Sequence, residues 1–293
     1  MPGSYLDRTS RPIYALAFLA GFIIFYELGT ILINPEALQR SLTLLKGRVV
    51  TFLWIQGLLE YIGFTRQMTW VATPLVVVVI LLALQLTSRT PWRVRYKDFI
   101  PMNIECIVMA VPLVVLSLMF NSRPTEPQIP NQPVAAVWTM PTMPMISTEG
   151  TVSSVAATPS SESARSNFDS LLTDIVTAIG AGIYEELVFR LMLLILLMMV
   201  FQDLFNFSDS QAIVFSIVIS ALLFSLHHHL LFIDGRFQAG EPFVLKPFVF
   251  RTLAGMYFAL LYAVRGFGIA AGTHAFYDII AALIKAYVIN GQA

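Results

Sequence analysis

LLTDIVTAIGAGIYEELVFRLMLLILLMMVF, residues 171–201, is an apolar run broken only by Asp174, Glu185, Glu186 and Arg190. As a helix, its 31 residues extend roughly 46 Å at 1.5 Å per residue, whereas a bilayer core of about 30 Å needs only about 20. It reads as one strongly tilted transmembrane helix, or as a short helix leading into a span. Charged side chains inside such a run cost roughly 2.5–3.5 kcal/mol each on insertion scales, so they are rare unless they pair or act.

The rest of the chain agrees with a membrane reading. Of its 293 residues, 57% are hydrophobic and 12% charged, whereas soluble domains carry about 25% charged residues. Further apolar segments lie at Ile13–Ile33, Val49–Phe64, Val71–Leu86, Ile100–Phe120, Ala212–Ile233, Phe243–Val264 and Phe267–Ile289. The expected fold is all-α, a polytopic transmembrane helical bundle of seven to eight membrane elements. The first segment is too long for a signal-peptide apolar region of about 7–15 residues. Val49–Phe64 is short and carries Glu60, so it is expected to be interfacial or re-entrant.

Arg8 and Arg11 read as topology anchors, and Arg89, Arg93, Arg95 and Lys97 make their loop cytoplasmic by the positive-inside rule. The two agree only if Val49–Phe64 does not cross. Eighteen basic residues balance eighteen acidic ones, which argues against a nucleic-acid partner. The one cysteine, Cys106, can form neither an intrachain disulfide nor a thiolate metal site.

Residues 121–168 hold seven of the sixteen prolines and a Ser/Thr-rich stretch from Ser147 to Ser166. That composition builds no packed core and reads as a flexible loop. It divides the chain into N-terminal transmembrane helices (1–120), the loop (121–168) and a catalytic transmembrane core (169–293). No internal repeat and no Gly-rich phosphate loop is found.

Polar groups concentrate in the C-terminal core, in three apolar segments: Gly182–Arg190, Ala221–His229 and Gly272–Asp278. All four histidines lie there. In a helix Glu186 and Arg190 are four apart and can pair, whereas Glu185 is about 140° from Arg190 and projects alone. An unpaired carboxylate in an apolar site suits a general base. Glu186 should therefore face Arg190 and point away from the cavity that Glu185 faces. His228 lies one turn after Phe224, while His227 and His229 read as solvated neighbours at a membrane edge. Asp278, four residues after His274, can orient that imidazole or add an oxygen to the site. If these segments are simple spans, His228 lies deep in its helix and His274 near the start of its own, so one boundary is expected to be misplaced.

Two chemistries fit one free glutamate and two histidines. Glu185, His228 and His274 could hold a divalent metal such as zinc. Alternatively Glu185 and His228 activate a water directly, with His274 and Asp278 stabilising the oxyanion of a tetrahedral intermediate. The HExxH zinc spacing is absent.

Taken together, Glu185-Glu186-x-x-x-Arg190, Phe224-x-x-x-His228 and His274-x-x-x-Asp278 resemble the EExxxR, FxxxH and HxxxN/D motifs of the CPBP family. These are the intramembrane CAAX-type prenyl-protein endopeptidases and their Abi relatives. The resemblance covers roughly residues 170–290. It implies an integral, multi-pass endopeptidase, in a bacterial cell membrane, acting on a membrane-embedded or membrane-anchored peptide or protein. By motif, Glu185 and His228 would activate water, His274 and Asp278 would bind the oxyanion or a metal, and Glu186, Arg190 and Phe224 would support the site. Asp278 stands where eukaryotic prenyl-protein enzymes more often have Asn. The competing readings are a non-catalytic scaffold or regulator of the same fold, and an ion-coupled transporter, for which an internal repeat would be expected.

Overall fold

The computed structural model describes residues 4–33, 49–121, 161–233 and 236–289. Most of them are helical: α1 Tyr5–Thr9, α2 Pro12–Ile33, α3 Val50–Tyr61, α4 Arg66–Ser88, α5 Phe99–Asn121, α6 Ser161–Glu186, α7 Leu194–Met199, α8 Asp209–Leu226, α9 Leu245–Arg265 and α10 Phe267–Ile284. Among the described residues, 7 helices are long and apolar enough to cross a membrane. The protein is an integral, multi-pass helical bundle, and the shorter α3 is not among those seven.

The long apolar run is one continuous helical rod. α6 passes through a π-helical stretch, Leu187–Leu193, into α7, and a second π turn, Val200–Leu204, ends it. The candidate span is Ser170–Leu204. α6 starts at Ser161, so the last residues assigned by composition to the flexible loop are helical. Ser and Thr content alone does not stop a helix that continues into an apolar span. The remainder of that loop, 122–160, lies outside the described residues.

Two contacts decide the topology around α3. The backbone N–H of Ile13, at the start of α2, donates to Gln85 near the end of α4 at 3.1 Å. Arg8 pairs with Asp98 at 3.1 Å. The N-terminus and the basic loop before α5 therefore share one end of the bundle, and α2 and α4 are antiparallel. α3 therefore does not reverse the chain between α2 and α4 and lies toward the other end, where α4 begins. Arg8 is thus more than an anchor: its guanidinium ties the N-terminus to the end of that loop, beside Tyr14, whose hydroxyl also donates to Asp98 at 3.0 Å.

α10 is the central helix, packed on α2, α5, α6 and α9. More than half of its apolar window is buried, against a third or less in the others. Its small side chains allow this. At Gly182 of α6, a Cβ would lie 2.6 Å from the backbone nitrogen of Ala275 and 2.7 Å from the carbonyl oxygen of Ala271. The α9–α10 corner is Gly266, at φ +78°, where a Cβ would meet the Ser10 carbonyl oxygen at 2.9 Å.

The segment Ala212–Ile233 is not one span. α8 ends at Leu226, His227–His229 form a turn, and Leu230–Ile233 is strand β1. It pairs antiparallel with β2, Arg236–Ala239, in the register Leu230↔Ala239 to Ile233↔Arg236. A short apolar run such as Leu-Leu-Phe-Ile cannot be assigned to helix or strand by periodicity alone. This hairpin is a small addition to an otherwise all-α fold. It also resolves the depth conflict: the misplaced boundary is that of α8, and His228 stands just beyond its end.

Candidate active site

Each site residue is placed by a local feature of its element. Glu185 and Glu186 are the last residues of α6 before the π-helical stretch. π-Bulges occur often at functional sites because the extra residue per turn rotates the following side chains. Across this bulge Glu186 and Arg190 still pair at 3.0 Å, both fully buried. Arg190 also donates to the Gly255 carbonyl at 3.2 Å, and its guanidinium lies 4.2 Å from the Phe224 ring centroid. Phe224 thus covers this cation.

Glu186 does more than brace Arg190. The same oxygen, Oε1, accepts from His274 Nδ1–H at 2.7 Å. Because Nδ1 must carry the proton of that bond, Nε2 is the atom His274 presents to Asp278 Oδ2 at 3.4 Å and to Glu185 Oε2 at 3.9 Å. The ring stacks on Phe258, with centroids 4.4 Å apart at 17°. The Glu186–Arg190 pairing expected from helix geometry is present and Glu186 does not line the cavity, but its side chain reaches His274 as well.

The histidine turn departs most from expectation. His227 and His229 are buried, at 6% and 7% exposure; neither is a solvated neighbour. His227 Nδ1–H donates to the Phe224 carbonyl, which leaves Nε2 facing Glu185 Oε1 at 3.8 Å. Its ring packs against Phe189 and against the edge of Trp54. The reason is the end of α8: past the cap, side chains no longer step by 100°, and the turn folds the three rings inward. The hairpin then staples that turn. The N–H of Gly240 donates to the His229 carbonyl and that of Glu241 to the His228 carbonyl, each at 2.9 Å. The run of three histidines was the sequence signal for His227, but its direction depended on where the helix stopped.

Glu185, His228, His274 and Asp278 line one cavity of about 550 Å³. Its walls include the aromatic rings of Phe120, Phe224, Phe250, Phe258 and Tyr277, and Lys246 and Arg251 line it from the first two turns of α9. Two helices, α6 and α10, and the turn after α8 thus bring together the four residues singled out in the sequence. A carboxylate oxygen of Glu185 and a ring nitrogen of each of His227 and His228 lie within 4.8 Å of one another.

That triple differs from the expected metal set in having His227 in place of His274. Zinc bonds of about 2.0–2.2 Å put tetrahedral ligands about 3.4 Å apart, so these donors fit a metal after side-chain rotations that draw them together. His227 has the support typical of a metal ligand, its other ring nitrogen donating to a backbone carbonyl.

Comparison with curated proteins and with solved structures gives no match. Residues 167–280 match the model of the family described as type II CAAX prenyl endopeptidase Rce1-like. The matched region runs from α6 into α10 and contains every residue that lines the cavity from α6, α8, α9, α10 and the histidine turn. The buried Glu-Glu-Arg group, the histidine turn and the His-Asp pair on one cavity all lie within residues 167–280, the part of the chain that is similar to the Rce1-like family of type II CAAX prenyl endopeptidases.

Proposed function

We propose that the protein is an intramembrane endopeptidase that hydrolyses a peptide bond of a membrane-embedded or membrane-anchored peptide or protein. The observation that carries this reading is the spacing of Glu185 and His228 on one cavity, with donor atoms within 4.8 Å. A water hydrogen-bonded to both at about 2.8 Å, with a tetrahedral angle between the bonds, requires a separation of about 4.6 Å.

In this mechanism the Glu185 carboxylate takes a proton from the water while His228 orients it. The hydroxide oxygen attacks the carbonyl carbon of the scissile bond, and the carbonyl oxygen becomes an oxyanion. His274 faces the cavity with Nε2; when both ring nitrogens are protonated, Nε2–H donates to that oxyanion, and Asp278 and Glu186 hold the imidazolium. Glu185 then returns its proton to the departing amine, and the C–N bond breaks. Glu186, Arg190 and Phe224 keep His274 and Glu185 in place. If a divalent ion were held by Glu185, His227 and His228, it would supply Lewis acidity that lowers the pKa of bound water.

The test is cleavage of lipidated and membrane-spanning peptides by purified protein in nanodiscs, followed by mass spectrometry. Glu185→Gln keeps the side-chain shape and removes the basic oxygen. It should lower the rate at least about 100-fold, the usual minimum for a lost general base, with an unchanged unfolding midpoint. Full activity in a folded Glu185→Gln protein would remove Glu185 from the chemistry, and no cleavage by the unaltered protein would leave the scaffold reading in its place.

A further inference from the structure

The lining of the cavity carries side chains of both charges. Glu185 and Asp278 lie among the histidines, whereas the start of α9 contributes Lys246 and Arg251 to the lining. Arg251 Nη2 donates to Glu241 Oε2 at 2.6 Å. Its Nη1 is buried and meets no acceptor among the described residues. A guanidinium N–H withdrawn from water without a partner costs free energy that an incoming acceptor would recover. Two cations against the single carboxylate of Glu241 leave this rim one positive charge in excess among the described residues. α9 adds to it, since its first turn has no side-chain cap and its unbonded N–H groups carry the positive end of the helix dipole.

We propose that Arg251 and Lys246 form a carboxylate-binding subsite at the mouth of the cavity, selecting substrates with an anionic group close to the scissile bond. This deepens the proteolytic reading and rests on it. A carboxylate suits the geometry because a planar guanidinium can take it through two parallel N–H donors, and Glu241, held by Nη2 alone, leaves Nη1 open to a second carboxylate oxygen. The aromatic walls take the apolar part of the chain, and the basic rim sets which way it lies. The carboxylate has two sources, the substrate's own C-terminus or an Asp or Glu side chain. Glu241 acts as an internal competitor for the same arginine, and its backbone N–H is bonded to the carbonyl of His228.

The experiment uses the full chain carrying Glu185→Gln, in phosphatidylcholine nanodiscs, so that binding is read without cleavage. The probes are four fluorescent apolar peptides of one sequence: free C-terminal carboxylate, C-terminal amide, amide with one internal Glu, and amide with Gln in its place. The free-acid or the Glu peptide should bind at least tenfold more tightly than its neutral counterpart, and which pair discriminates identifies the source. Lys246→Gln and Arg251→Gln, each added separately, should abolish that preference; Glu241→Gln should increase it severalfold. Equal binding of all four peptides, no binding of any, or a preference that survives both cation changes overturns the subsite. So does displacement of the anionic peptide by phosphatidylglycerol, which would make the rim a lipid-phosphate contact. Glu185-intact protein given the same peptides separates the two readings. Charge-selective binding without cleavage would sink the protease and keep the subsite, and cleavage without charge preference would do the reverse.

Discussion

Glu186 illustrates how a single residue can serve two partners. Its Oε1 lies 3.0 Å from Arg190 and 2.7 Å from His274, so it connects the buried guanidinium to the imidazole on the cavity. Removing one member of a buried ion pair leaves an uncompensated charge and costs about 3–5 kcal/mol. Arg190→Met should therefore lower stability by about that amount in denaturant unfolding in detergent. Glu186→Gln should lower stability and activity together, because His274 loses the acceptor that orients it. An active Glu186→Gln protein of wild-type stability would show the triad to be dispensable. The metal route has its own readout at this scale. With water activated by Glu185 and His228 alone, prolonged chelation leaves activity unchanged and elemental analysis finds less than one zinc per chain. Reversible inactivation restored by zinc would put Glu185, His227 and His228 in the role of ligands.

At the scale of elements, the site depends on how closely α6 and α10 approach. Gly182 is the contact point: a Cβ there would lie 2.6 Å from the Ala275 backbone nitrogen, and backbone on a central helix cannot move aside. Alanine normally improves a helix by up to about 1 kcal/mol over glycine. At Gly182 the clash should outweigh that gain, and Gly182→Ala should lower stability by about 1–3 kcal/mol, the usual cost of overpacking. It should also slow cleavage, since α6 carries Glu185 and α10 carries His274. Gly57 of α3, which has nothing within 4 Å of an added Cβ, is the control, and Gly57→Ala should be neutral or stabilising. Equal midpoints for the two variants would show that α6–α10 contact does not limit stability.

Across the whole molecule, a second polar cluster closes the end of the bundle away from the active-site mouth. Arg265, at the end of α9, reaches Glu105 of α5 through Nη2 at 2.9 Å and Thr9 of α1 at 2.9 Å. Tyr5 donates to the same glutamate at 2.8 Å. These bonds join the N-terminus to helices more than ninety residues away, so they fasten the N-terminal helices to the Rce1-like core. Arg265→Met and Glu105→Met should each destabilise by about 3–5 kcal/mol, and the double variant by clearly less than their sum, because it strands no charge. Additive losses in thermal unfolding would mean that the two side chains are not coupled.

From sequence alone, the membrane class, the α6–α7, α9 and α10 segments and the four polar residues around the cavity were legible. Apolar length and intramembrane charge are local quantities, and the i,i+4 spacing of Glu186 and Arg190 is enough to pair them in a helix. The length of Val49–Phe64 and Glu60 pointed to an interfacial or re-entrant segment, whereas the antiparallel arrangement of α2 and α4 came only from the Ile13–Gln85 and Arg8–Asp98 contacts. Tertiary structure decided where α8 stops, and with it the inward turn of His227, the hairpin that staples His228, and the second role of Glu186. Those depend on partners far along the chain: the strand that pairs with Leu230–Ile233, and His274, 88 residues beyond Glu186. Periodicity reports which face of a helix a residue occupies while the helix lasts; the partner that meets that face, and the path the chain takes beyond its last turn, are set by packing.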